Sequence, residues 1–207
     1  MKRFAIILLV FLSACFAPGP DLPSSVAAET RNLLVVYTGN LLAELKPCGC
    51  AKEEDQGGIE RRMQYINDIR KSNPNLLLVD TGDHFKEPTR QGKLKAETLL
   101  IATEKMQYDA IALGDRDMVY GSKFLKDRPK IPWIAGNLII DQFKLTRSKV
   151  KSFSNGLKVG ILAVADPALF HDYVGLKVID PKVTTLNLIT QMRETEKLDL
   201  IVLLTHA

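Results

Sequence analysis

Residues 33–62 read LLVVYTGNLLAELKPCGCAKEEDQGGIERR, and the way this stretch breaks decides the class of the fold. Leu33–Tyr37 is a short apolar run rich in β-branched and aromatic residues, closed by Thr38-Gly39-Asn40. Such a run reads as a buried strand. Gly57-Gly58 opens a segment in which Ile59, Met63, Ile66 and Ile69 share one face at helical spacing. Between them lies a loop holding Pro47, Cys48, Gly49 and Cys50. In an α/β sheet, loops beyond the carboxyl ends of the strands are where ligands bind.

The strand–loop–helix pattern recurs. Asn73-Pro74-Asn75 breaks the first helix, and Leu76–Asp80 is a second strand, apolar on both faces as a buried parallel strand requires. A loop over 81–92 leads to a helix expected at about 94–106, then a short third strand at Ala110–Leu113 and a loop over 114–121. Beyond Pro132 come short apolar segments at 133–135, 138–140, 150–153 and 157–164, the last two joined by Asn155-Gly156, a strong hairpin signal. Pro181 suits the first turn of a helix through Thr195. Leu198–Thr205 reads as a last buried strand and carries His206. Alternating β and α units around a β-rich part predict a layered α/β fold, a β-sandwich flanked by helices. A sheet ending on a bare apolar strand has an unprotected edge, so the domain over 32–207 is expected to be part of a longer one.

With 207 residues there is enough chain for one sizeable core. The net charge of +4 is spread along the sequence, which argues against a nucleic-acid polymer as partner. Lys2 and Arg3 precede a short apolar run at 4–12, too short to span a membrane and suited to a signal peptide. The following Leu12-Ser13-Ala14-Cys15 resembles a bacterial lipobox. That resemblance implies a signal peptide over 1–14, lipid on Cys15 and a membrane-anchored protein on the periplasmic side of the envelope. A plain secretory signal cut near Ala14 is the alternative. The Pro-, Ser- and Ala-rich tract over 15–31 then serves as a flexible tether. Either signal places Cys48 and Cys50 where thiols meet oxidant.

Four strand ends carry polar residues: Asn40; Asp83 with His84; Asp115-Arg116-Asp117; and His206. Carboxylates and imidazole at the mouth of a sheet suit a divalent metal such as Mn, Fe or Zn, as one or two ions. Taken singly, each has a plainer explanation. Gly-Asp after a strand is often a turn or helix cap, and a lone histidine is often a hydrogen-bonded structural group.

Together these segments resemble the calcineurin-like metallophosphoesterases, in their 5′-nucleotidase branch. Leu76-Leu-Leu-Val-Asp-Thr-Gly-Asp83 resembles the family's second motif, and Tyr108-Asp-Ala-Ile-Ala-Leu-Gly-Asp-Arg-Asp117 its third, written GNHE or GNHD. Gly57–Arg62, Ile131–Asn137, Gly156–Ala163 and Leu198–His206 match further segments in the family's order. The resemblance implies two metal ions flanking the phosphate ester of a small substrate, a nucleotide, and neutralising its charge. By position it makes Asp83 the bridging ligand, Asp115 and His206 ligands of the second metal, and Asn40 a weak fourth ligand. Arg116 and Asp117 stand at the catalytic positions of the third motif. The sequence also departs from the family. The first motif, DxH, falls on Asn40-Leu41-Leu42, and Arg116 replaces the catalytic histidine, so it contacts an anion but cannot serve as a general acid. The family's last motif, GHxH, is expected beyond Ala207.

The opening TGNL…ELKPCGC…GG also resembles a group of UshA-like (seleno)proteins. That likeness implies redox or soft-metal chemistry without fixing its position, and Cys48 and Cys50 are the candidate thiols. Two thiolates can bind Zn²⁺, Cu⁺ or an iron–sulfur centre, with His84 or His206 as further ligands. As a pair they would form a strained, reducible disulfide. Inert thiols remain open as well. The sequence thus carries a hydrolase reading, a rival in a redox-active or metal-binding envelope protein, and a third in an envelope binding module with no chemistry. The oligomeric state is not legible.

Overall fold

Among the described residues, two larger sheets, a two-stranded ribbon and four α-helices build the fold, and the order of strands decides which apolar runs are covered. The structure is a computed structural model that describes residues 31–47, 49, 57–141 and 143–207. The signal peptide, the lipid site at Cys15, most of the tether, and Cys48 and Cys50 lie outside the described residues. In the first sheet, β1 (Leu34–Thr38), β2 (Leu76–Asp80), β3 (Ala110–Ala112) and β4 (Trp133–Ile134) run parallel in that order. The crossovers carry α1 (Ile59–Ser72), α2 (Arg90–Met106) and the short α3 (Gly121–Lys126). A two-stranded antiparallel ribbon pairs β5 (Leu138–Ile140) with β8 (Leu176–Val178). The second sheet has the order β6 (Ser148–Ser152), β7 (Lys158–Ala165), β9 (Leu200–His206), with α4 (Pro181–Thr195) between β8 and β9. The β6–β7 pair is antiparallel and the β7–β9 pair parallel.

Side-chain alternation sorts the core into layers. Leu77 and Val79 of β2 and Ala112 of β3 meet Val159, Ile161 and Ala163 of β7 between the sheets. Leu78 and Ile111, on the opposite face, pack on Ile66 of α1 and on Leu99 and Met106 of α2. On the outside of the second sheet, Leu188 and Met192 of α4 cover Leu162. This is the layered sandwich expected from the sequence.

Several expectations shift. The apolar run of β1 is an edge strand: Val36 packs inward, whereas Tyr37 is 74% exposed. β9 is likewise an edge strand, with Leu200 and Leu203 exposed, although Leu204 and His206 are buried. An apolar run reports what a strand can bury, not whether a neighbour covers it. α2 starts four residues earlier than expected, because Thr89 caps it by accepting from the Gly92 N–H at 2.9 Å. The hairpin forms at Asn155-Gly156, with Gly156 at φ 80° and Phe153 N–H donating to Leu157 O at 2.8 Å. α4 spans the expected residues, capped by Asp180, which accepts from the Val183 N–H at 2.7 Å. Among the described residues no helix is long and apolar enough to cross a membrane.

Candidate metal centre

The site forms where loops after β2 and β3 meet the end of β9, so both sheets contribute. Beyond β2 the chain turns sharply through Gly82 and Asp83, both in the left-handed region at φ 100° and 61°. A Cβ on Gly82 would come within 2.7 Å of Gly114 N, so only glycine permits the two loops to approach this closely. Asp80 anchors the turn: buried at the end of β2, it accepts from Gly82 N–H at 2.7 Å and from the Thr38 hydroxyl.

Beyond β3 the loop is pinned by Asp117. Its buried carboxylate accepts from the backbone N–H of Asp83 (3.0 Å), His84 (2.7 Å) and Gly114 (2.9 Å). Burial pushes this carboxyl up to about 6, against the pull of His84 and of those amides. Asp117 therefore does not occupy a catalytic position as its place in the third motif implied. Its oxygens are spent on three amides and closed to solvent, which makes it a positioning residue.

Asp83, Asp115 and His206 come together, with one ligand atom from each lying within 4.8 Å of the other two. His206 Nε2 is 3.0 Å from Asp115 Oδ1 and 3.4 Å from Asp83 Oδ1. Its Nδ1 sits 3.0 Å from the Thr81 carbonyl, which can only accept, so Nδ1 carries a proton. Nε2 then faces a carboxylate oxygen and needs a proton or a cation between them. Burial alone would lower the imidazole. Instead the Asp115 hydrogen bond and the Asp83 charge hold it above its ordinary 6.5. Burial holds the Asp83 carboxyl above its usual range, against the opposing charge of His206. Two carboxylates and one oriented imidazole suit a borderline divalent metal, and the Thr81 carbonyl is the outer partner that such a histidine needs.

Other anticipated residues fall around this group. Arg116 is half exposed, with Nε 3.6 Å from Asp83 Oδ2. Asn40 is exposed beside the Gly82 turn, its N–H donating to Gly82 O at 2.9 Å. Leu42 and Ala43 continue that backbone pairing to Asp83 O and His84 O at 3.0 and 2.6 Å. Asn40, Leu42 and Ala43 have φ of 51°, 48° and 54°, a strained run of the kind that clusters at functional sites. His84 is fully buried, edge-on to Trp133, with Nδ1 3.7 Å from both Asp80 and Asp117, so it is not exposed as a ligand. Tyr173 went unnoticed in the sequence. Its hydroxyl donates to the Asp115 carbonyl at 2.8 Å from an irregular segment that no periodicity marks. An apolar hollow of about 790 Å³, lined by Leu138, Ile140, Phe143 and Leu145, contains none of these residues. Chemistry favours the strand ends, where the charged groups converge.

No family model matches the chain. It is 29% identical over 115 residues to a snake venom 5′-nucleotidase from Naja atra, a match covering 51% of this chain and 22% of that enzyme. Among solved structures it resembles a 5′-nucleotidase precursor from Thermus thermophilus (TM-score 0.73, 20% identity), covering 84% of this chain and 37% of the other. It also resembles the calcineurin-like phosphoesterase YfkN from Bacillus subtilis (TM-score 0.66, 23% identity), covering 84% of this chain and 62% of the other. The chain spans about a fifth of the length of the curated relatives it matches.

Proposed function

We propose that the chain is a member of the 5′-nucleotidase branch of the calcineurin-like metallophosphoesterases and that it hydrolyses phosphate esters of nucleotides with a bound divalent metal. The observation that carries this is the convergence of Asp83, Asp115 and His206 at the ends of strands from two sheets. Asp83, Asp115 and His206 would hold the metal. When bound it polarises a phosphoryl oxygen and offsets the charge that develops in transfer.

This chain's own residues do the rest. Thr81 fixes the His206 tautomer, so that Nε2 is the atom presented to the cation. Asp117 fixes the amides of both loops and with them the spacing of Asp83 and Asp115. Tyr173 holds the Asp115 backbone. Arg116, always charged and half exposed, offers donors to a phosphate oxygen but no proton for a leaving group. An exported, lipid-anchored setting on the periplasmic side is proposed with it, supported by the Leu12–Cys15 sequence. Membership of the UshA-like group rests in the same way on the Cys48-Gly49-Cys50 opening.

The test is release of phosphate from adenosine 5′-monophosphate by protein loaded with Mn²⁺. Activity should vanish on chelation or in Asp83→Ala and survive in a Cys48→Ser, Cys50→Ser double variant. Loss of activity with the cysteines and not with Asp83 would overturn the proposal in favour of thiol-based chemistry.

A further inference from the structure

We propose that this centre takes one divalent cation, not two, and that the Arg116 guanidinium supplies the second positive charge, so that a tetrahedral oxyanion is gripped between cation and arginine. The inference rests on the metal-dependent reading above. The two oxygens of Asp83 sit in different surroundings. Oδ1 faces His206 Nε2 at 3.4 Å and accepts from the Arg116 backbone N–H at 3.1 Å. Oδ2 faces the Arg116 guanidinium, whose Nε lies 3.6 Å away. A second cation on the Oδ2 side of Asp83 would have to displace the guanidinium that holds that direction.

On the described segment that borders Asp83 from β1, residues 39–43 carry no carboxylate or imidazole, and the next carboxylate, Glu44, faces Lys86 Nζ at 3.8 Å. Asn40 is followed by Leu41 and Leu42, and Leu42 lines a hollow of about 110 Å³ with Ala43, Lys86 and Gly92. Among the described residues, Asp83, Asp115 and His206 are the only group of three His, Cys, Asp or Glu ligands. Two carboxylates against a divalent cation and a guanidinium leave a single positive charge, which suits an anion such as a phosphate monoester. Arg116 is 48% exposed at the side chain, so its planar fork can turn to an arriving oxyanion, for which guanidinium donors are well matched.

The experiment measures metal content and anion binding, not turnover. Protein is loaded with Mn²⁺, desalted and analysed for metal per chain, with Cys48 and Cys50 intact and with both changed to serine. Inorganic phosphate is then titrated calorimetrically into the loaded wild type, Arg116→Ala and Arg116→Lys. The expected result is one Mn²⁺ per chain in every form. Phosphate affinity should fall by about tenfold or more in Arg116→Ala and recover partly in Arg116→Lys. Two Mn²⁺ per chain, or phosphate binding indifferent to Arg116→Ala with one Mn²⁺ retained, would overturn the inference and leave the hydrolase reading standing. No Mn²⁺ in any form would sink both.

Discussion

Gly114 has no side chain because Asp83 and His206 occupy the space one would need. A Cβ there would overlap Asp83 Oδ1 and come within 2.9 Å of His206 Cε1. Gly114→Ala should therefore weaken Mn²⁺ binding by about tenfold or more while the fold still melts cooperatively, read by metal titration beside thermal unfolding. His206 makes a pH-dependent prediction. Its folded pKa is raised above 6.5, so the charged pairing with Asp115 and Asp83 stabilises metal-free protein fully below pH 6.5. That stability is lost as pH rises through the higher folded value. Mn²⁺ competes with the same proton, so its affinity should climb across the same window, and His206→Gln should abolish both slopes. The convergence of Asp83, Asp115 and His206 was legible because strand ends announce themselves in sequence. Asp117 was misread because nothing in Gly114-Asp115-Arg116-Asp117 tells a carboxylate aimed at substrate from one aimed at backbone amides. Only the close approach of two loops decides it.

Between elements, the link that ties the two sheets at the end away from the metal centre is Asp109. It accepts from Leu78 N–H at 2.9 Å and from Lys151 Nζ at 2.7 Å, while Lys151 also donates to Leu76 O at 2.8 Å. Lys149 joins from the same strand, its amine lowered by burial despite Asp109 nearby. Asp109→Ala strands a backbone donor and an ammonium, and should cost about 1–3 kcal/mol in urea unfolding. Metal affinity should stay near wild type, because Asp109 touches none of the ligands. Most elements could be placed from sequence because apolar runs and helix-breaking Asn-Pro or Asn-Gly pairs are local signals. The ribbon strand β8 and the helix α3 escaped, being three and six residues long with no repeat to mark them. The exposed edge at β1 escaped for a different reason, since coverage is settled by strands distant in sequence.

At the scale of the molecule, the centre depends on how the sheets pack. Asp83 and Asp115 extend from the first sheet and His206 from the second, so the contacts of Ile161 and Leu77 between them set the distance across the site. Ile161 is fully buried. Ile161→Ala should cost about 2–5 kcal/mol and also loosen Mn²⁺ binding, unlike Asp109→Ala. The most direct test is a crystal of Mn²⁺-loaded protein examined by anomalous scattering. One peak is predicted, about 2.0–2.4 Å from Asp83 Oδ1, Asp115 Oδ1 and His206 Nε2. A peak at Cys48 and Cys50 with nothing at Asp83 would contradict the account.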